Sequence, residues 1–275
     1  MPELPETETI ARDLDAQVRD AVIVAASVAR GDVLREVTPA ELDAHTRGAR
    51  IVGAWRRAKL VVLDLSTGDR IVVQPRFTGA LLLDEGALSE RERGFVRVTF
   101  TLDDGRLLHY RDIRCLGTLA LMSPERFAAY VDRLGIEPLD QAFTAAHLSA
   151  LLRGSRQVVK KLLQDQGRVV GIGNIYANES LWRARIHPGR TGESLTTPEV
   201  RRLRDAIVAV LGESIAARGT SFRDYVDARG ERGAFAERLA VYGRGGEPCP
   251  RCGRTLHESH EFDGRSTVFC PHCQR

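Results

Sequence analysis

The sequence predicts an α+β chain. A β-sandwich or barrel-like N-terminal domain, opened by one helix, is followed by a helical domain that ends in a cysteine-bearing hairpin. Three observations carry this reading. Short β-type runs recur at close spacing between residues 22 and 122. The pattern switches to helical periodicity from Ser123 to Ala217. Four of the five cysteines then fall in the last 27 residues.

Taken in order, Glu6 to about Val22 reads as an amphipathic helix with Ile10, Leu14, Val18 and Val22 on one stripe. The β-type runs are Val22–Val28, Ile51–Trp55, Leu60–Leu65, Arg70–Gln74, Ala80–Leu83, Val96–Leu102, Arg106–Tyr110 and Leu116–Met122. Turn signals such as Thr67-Gly68-Asp69 and Asp103-Asp104-Gly105 separate several of them. The opening helix is expected to pack against the edge of this domain. Helices are expected over Pro124–Leu134, Thr144–Leu152, Arg156–Gln164, Asn174–Arg183 and Pro198–Ala217. Residues 218–238 are glycine-rich and charged, and a loop of that length within a compact domain is functional or mobile. The domains divide as 1–134, 135–240 and 241–275. Asp263-Gly264 is a hairpin-turn dipeptide that would put Arg265 at the hairpin tip.

Composition narrows the class. No apolar run is long enough for a membrane span, and there is no secretory signal, so a cytoplasmic protein is expected. Of 40 basic residues, lysine occurs only as Lys59, Lys160 and Lys161. Residues 1–150 carry 19 basic and 23 acidic groups, and residues 151–275 carry 21 and 14, so the C-terminal half is the side suited to a polyanion.

Cys249-x2-Cys252-x17-Cys270-x2-Cys273 has the spacing of a tetrahedral site with four thiolate ligands to one zinc ion. Cys115 stands apart and is expected to be a buried thiol. At the other end, Met1-Pro2-Glu3-Leu4-Pro5-Glu6 admits two readings. One is a plain helix start, with Pro5 in the first turn and Glu6 near the positive end of the dipole. The other is chemical. Loss of Met1 would expose a secondary amine on Pro2. An α-amino group titrates at about 7.7–8.0, far below lysine, and so can attack an electrophilic carbon. Glu3 would be the acid or base within reach. Gly171-Ile172-Gly173-Asn174 lacks the βαβ context of a dinucleotide fingerprint. It reads instead as a tight turn between helices with Asn174 as N-cap, presenting N–H groups to a phosphate.

These stretches together resemble the formamidopyrimidine-DNA glycosylase family, which also contains endonuclease VIII. The matching motifs are the N-terminal Met1-to-Glu6 run, Arg56-Arg57-Ala58-Lys59, Gly171-Ile172-Gly173-Asn174-Ile175-Tyr176-Ala177, Val241-Tyr242-Gly243-Arg244, and Arg265-Ser266-Thr267-Val268-Phe269-Cys270-x2-Cys273-Gln274. Leu4 and the long 218–238 loop resemble the formamidopyrimidine branch more than the endonuclease VIII branch. The resemblance implies a β-sandwich, then a helix–two-turn–helix domain with a zinc-ribbon finger. It implies base excision repair of damaged duplex DNA by a bifunctional glycosylase and AP lyase, acting as a monomer at the nucleoid.

It also implies roles. Pro2 matches the nucleophile that forms an imine at C1′, Glu3 the proton donor to the sugar, and Glu6 a supporting carboxylate. Lys59 matches the phosphate-contacting lysine that assists β-elimination. Asn174 and Arg265 match further phosphate clamps, Arg265 being linked to δ-elimination. Lys160, on the helix before the turn, is expected among the DNA contacts, and Arg153 and Arg156 are expected to add two more. Three departures stand out. Gln74-Pro75-Arg76-Phe77-Thr78-Gly79 and Asp112-Ile113-Arg114-Cys115-Leu116-Gly117 resemble the family's wedge loops, with Phe77 for methionine and Leu116 for phenylalanine, Arg114 being kept. A DNA-contacting histidine has no match, and Arg93 stands nearby. The finger is one residue longer than usual before Arg265. The rival readings are an endonuclease VIII-like enzyme for oxidised pyrimidines, a non-catalytic damage-binding protein, and a zinc-ribbon transcription factor.

Overall fold

The computed structural model describes residues 2–84, 88–221 and 225–275. The chain forms two compact units, residues 1–132 with 217–236, and residues 133–216 with 237–275. The linear division keeps 217–236 with the helices. In the structure this stretch belongs to the first unit, because Tyr225 and Ala228 are buried in that unit's core and Ala228 accepts the Leu83 N–H at 3.2 Å.

The first unit runs α1 (Leu4–Val18), β1 (Ile23–Val28), β2 (Leu34–Arg35), α2 (Pro39–Thr46), β3 (Ile51–Arg57), β4 (Leu60–Leu65), β5 (Arg70–Gln74), β6 (Gly79–Asp84), α3 (Glu90–Arg93), β7 (Val96–Leu102), β8 (Leu107–Asp112), β9 (Thr118–Met122) and α4 (Pro124–Val131). The strands form a four-stranded sheet ordered β1-β7-β8-β6 and a five-stranded sheet ordered β2-β9-β5-β4-β3. Both bury apolar side chains in one core: Phe100, Leu108 and Tyr110 from the first, Val61, Ile71 and Leu119 from the second. This is a sandwich, closed by α1, which packs on the edge strand β3. Ile10, Leu14 and Val18 of α1 are wholly buried in that core. The helix begins two residues earlier than its apolar stripe suggests, because Glu3 is its N-cap and Glu6 its N3 residue. It ends at Val18, and Val22 instead bridges Arg50 beside β1.

The second unit contains α5 (Ala145–Leu152), α6 (Val159–Gln164), α7 (Asn174–Ala184), α8 (Thr197–Ala216), and the hairpin strands β10 (His257–Ser259) and β11 (Thr267–Phe269). Here α7 packs on α8, α6 and β11. The finger is hung from α7 by Glu179, whose carboxylate accepts the N–H groups of Ala240, Val241 and Tyr242 at 2.8–2.9 Å. Its small core joins Val241, Leu256 and Val268 to Cys249 and Cys270. Among the described residues no helix is long and apolar enough to cross a membrane.

Candidate active site and metal centre

Pro2 is buried at the start of α1, and Glu3 and Glu6 beside it are almost wholly buried. A carboxylate is kept out of water only where donors meet it. Glu6 has such donors on both oxygens: Oε2 accepts the Glu3 N–H and Oε1 the Thr220 N–H, each at 2.8 Å. Glu6 therefore joins the helix start to the segment returning from residue 217. That segment is fixed further by Arg218, which donates to Asp13 Oδ2 at 2.5 Å and to the buried Asp227. Gly219 follows at φ +85° with Glu6 packed against it, and an added Cβ there would meet the Glu6 side chain at 3.1 Å. The expected removal of Met1 concerns a residue outside those described.

Lys59 occupies the tip of the β3–β4 hairpin, after Ala58 at φ +54°. The tip is tied down by Arg56, which donates to Glu8 of α1 at 2.8 Å and to the Ala58 carbonyl at 2.9 Å. The Arg56–Glu8 pair is mostly buried and ties the lysine-bearing turn to the helix that begins beside Pro2.

The loops 75–78 and 113–117 each carry the chain between the two sheets. They lie side by side, because Gly79 pairs with Asp112 and Gln74 with Thr118. Asp112 binds both. It accepts the Gly117 N–H at 2.8 Å, the Arg114 N–H at 3.2 Å and the hydroxyl of the buried Thr78. A Cβ on Gly117 would stand 2.2 Å from the Tyr110 hydroxyl, so only glycine lets the second loop close on the first. Phe77 and Leu116 are 46% and 41% exposed and so are not core residues. The Arg114 guanidinium lies 5.4 Å from the centre of the Phe77 ring. Cys115 between them is half-buried at φ +51°, not the fully buried thiol expected. Arg93 is exposed at the end of α3.

In the second unit, Asn174 is the first residue of α7 and Gly173 its N-cap. The expected capping role fails because the Asn174 side chain is turned to the finger, donating to the Ser266 carbonyl at 2.9 Å. Asn178, one turn on, accepts the Val268 N–H at 2.7 Å and reinforces the same tie. Arg265 is exposed in the β10–β11 connection, as its place after Asp263-Gly264 suggests. Lys160 corrects the reading that put it among the DNA contacts. Its side chain is 0% exposed and its ammonium donates to Thr267 Oγ1 at 2.6 Å and Asp263 Oδ1 at 3.1 Å. Here it braces the finger rather than facing solvent. Arg153 and Arg156 are exposed; the Arg156 guanidinium lies 3.9 Å from a Glu193 oxygen. Sequence reasoning misses Asp112, Glu179 and Asp263. Each sits inside or beside one of the motifs above, but its importance lies in partners distant in sequence.

Cys249, Cys252, Cys270 and Cys273 bring four sulfurs within 4.8 Å of one another, with Cys252 and Cys270 Sγ 3.5 Å apart. Zinc–sulfur bonds of about 2.3 Å set tetrahedral sulfur–sulfur edges of about 3.8 Å, so this donor set fits zinc. Four protein ligands complete the coordination and leave no position for a reacting water, which makes the site structural.

Comparison with known proteins agrees along the whole chain. The family model "Formamidopyrimidine-DNA glycosylase N-terminal domain" matches residues 1–119, "Formamidopyrimidine-DNA glycosylase H2TH domain" residues 134–226, and "Zinc finger found in FPG and IleRS" residues 246–275. The formamidopyrimidine-DNA glycosylase of Heliobacterium modesticaldum is 44% identical, with both chains fully covered. A crystal structure of a Lactococcus lactis FPG mutant in complex with Fapy-dG-containing DNA superposes with a TM-score of 0.91 at 32% identity, covering both chains fully. The MutM (FPG) protein of Thermus thermophilus gives a TM-score of 0.86 at 36% identity, covering 99% of this chain and 98% of its own. The chain belongs to the formamidopyrimidine-DNA glycosylase family of DNA-repair enzymes.

Proposed function

We propose that this enzyme excises oxidised purines, 8-oxoguanine and formamidopyrimidines, from duplex DNA and then cleaves the strand by β,δ-elimination through an imine at Pro2. The observation that carries the reading is the buried Pro2–Glu3–Glu6 start of α1, in which Glu6 is already committed to two backbone donors. Glu3, which adjoins the amine and whose side chain accepts the Glu6 N–H in the capping box, is the carboxyl group placed for proton transfer.

With Met1 removed, the Pro2 nitrogen attacks C1′. The C1′–base bond breaks, and its electron pair leaves with the base, which takes up a proton. Glu3 gives a proton to the ring oxygen as the sugar opens, and an iminium forms between Pro2 and C1′. Loss of a C2′ proton then expels the 3′ phosphate, and a second elimination expels the 5′ phosphate. Addition of water to the iminium releases the sugar fragment as its aldehyde and regenerates the Pro2 amine. Lys59 contacts the phosphate beside the lesion, and Asn174 and Arg265 hold further phosphates, with Arg265 assisting the second elimination. Such contacts position DNA without reading its sequence.

The target base must leave the stack first. Phe77 and Leu116, two large apolar side chains exposed on adjoining loops, suit the gap left behind, and Arg114 can donate to the unpaired opposite base. The test is borohydride trapping on an 8-oxoguanine duplex beside a matched oxidised-pyrimidine duplex. A covalent adduct and faster excision on the purine substrate are expected. Faster excision of the pyrimidine would transfer the enzyme to the endonuclease VIII-like reading, and binding with no adduct would make it a damage-binding protein.

A further inference from the structure

We infer that Asp263 is a positioning residue that latches the β10–β11 connection to α6 and sets the direction of the Arg265 guanidinium. The inference rests on the reading of Arg265 as the group that assists δ-elimination.

The hydrogen bonds close a ring. Asp263 Oδ1 accepts the Lys160 ammonium at 3.1 Å and the Arg265 backbone N–H at 3.0 Å. Its Oδ2 accepts the Gln164 amide nitrogen at 2.8 Å, and the Gln164 amide oxygen accepts Arg265 Nη1 at 2.8 Å. Lys160 and Gln164 are four residues apart on α6 and so share one face of the helix. The Gln164 amide has one orientation that serves both partners, since exchanging its oxygen and nitrogen would set donor against donor at Arg265. Lys160 also donates to Thr267 Oγ1 and the Ser266 carbonyl, so the base of the connection is held on both sides of Arg265. Burial alone would raise the Asp263 carboxyl. The Arg265 N–H, the Lys160 ammonium and the Gln164 amide outweigh it and hold the group below the usual carboxylate range.

The local sequence fits the task. Gly264 at φ +76° lets the chain turn back so that the Arg265 N–H meets the carboxylate two residues before it. Arg265 stands on a hairpin whose strands are only three residues each, too short to fix a long side chain by pairing alone. Orienting the guanidinium beforehand removes an ordering cost that would otherwise fall on the reacting complex.

The experiment uses the zinc-loaded enzyme on duplex DNA with a preformed abasic site and measures the ratio of δ- to β-elimination product. Gln164→Leu breaks both amide links while keeping the Lys160–Asp263 ion pair. The pair Lys160→Met with Asp263→Leu replaces the buried ions by apolar groups of similar size. Both are expected to lower the ratio on the order of tenfold, with imine trapping at Pro2 and zinc content retained. Asp263→Asn should lower it less. Arg265→Ala is run alongside. If it lowers the ratio while Gln164→Leu does not, the latch is overturned and Arg265 keeps its role. If Arg265→Ala leaves the ratio unchanged, the reading of Arg265 falls and the latch falls with it. Should the apolar pair lose zinc, Gln164→Leu decides.

Discussion

In the first unit, Lys59, Phe77, Arg114 and Leu116 sit on connections whose places follow from strand register, because each joins strands of a buried sandwich. In the second unit, Asn174 starts α7 and Arg265 stands between two three-residue strands, and the finger that joins them is held by side-chain ties and by four thiols. Apolar burial is distributed over many residues and tolerates single losses. A network of polar ties around one ion does not, since each missing partner strands another. The two units should therefore fail differently.

The sharpest break is at the metal. Cys252→Ser, or zinc removal by a chelator, should unfold the finger and weaken binding to abasic-site DNA by about 100-fold or more, because structural zinc sites contribute folding free energy directly. The first unit should keep its β-sheet circular dichroism. Normal DNA binding by the zinc-free protein would show that the finger does not depend on its metal.

Next come two changes within the first unit that separate framework from tip. Asp112→Ala leaves the Gly117 N–H and the Thr78 hydroxyl without their buried acceptor and should cost about 3 kcal/mol, measured by urea unfolding. Phe77→Ala, at an exposed position, should cost less than about 1 kcal/mol. Phe77→Ala should nevertheless lose base excision from a duplex and keep most strand cleavage at a preformed abasic site, where less unstacking is required. Equal loss on both substrates would remove Phe77 from the wedge.

A smaller effect tests the phosphate contacts in both units together. Lys59→Ala and Arg265→Ala should each flatten the salt dependence of DNA binding by about one charge. Unchanged slopes in both would return these residues to ordinary solvated cations.

The smallest effect lies away from the site. Arg190 holds the Glu199 carboxyl down to about 2, helped by the Thr196 N–H and hydroxyl. A depressed carboxyl stabilises the fold above its ordinary range, near 4.3, and loses that contribution as pH falls toward 2. Glu199→Gln should therefore cost about 1 kcal/mol at pH 7, given the partial exposure of the pair. The difference should vanish near pH 2, and a constant difference across that window would contradict the pairing.

Much of this is legible in the sequence. Residues whose meaning is local can be read: the alternating strands, the Ile10–Leu14–Val18 stripe, the two CxxC pairs, and the Met-Pro-Glu start. The helix α2 escapes a reading by period, although Thr38-Pro39-x-Glu41 carries a capping box, because its apolar pattern is weak. The strand β2 is two residues long, too short for any period to show. Lys160 misleads because a helical lysine beside a phosphate-binding turn looks exposed. Only the fold brings Asp263 to it across 103 positions. Asp112 joins two loops in the same way, and residues 217–236 return to the first unit through Glu6 and Asp13, contacts that no local pattern announces.

The central claim is that the amine of Pro2 forms the covalent intermediate. Borohydride trapping of the Met1-free protein on an abasic duplex, followed by peptide mapping, tests it most directly. The expected result is a single adduct on Pro2, lost when the N-terminal amine is blocked by retained Met1, with Glu3→Gln slowing its formation from a lesion-bearing duplex. A fully active preparation that keeps Met1, or an adduct mapped to Lys59, would contradict the claim.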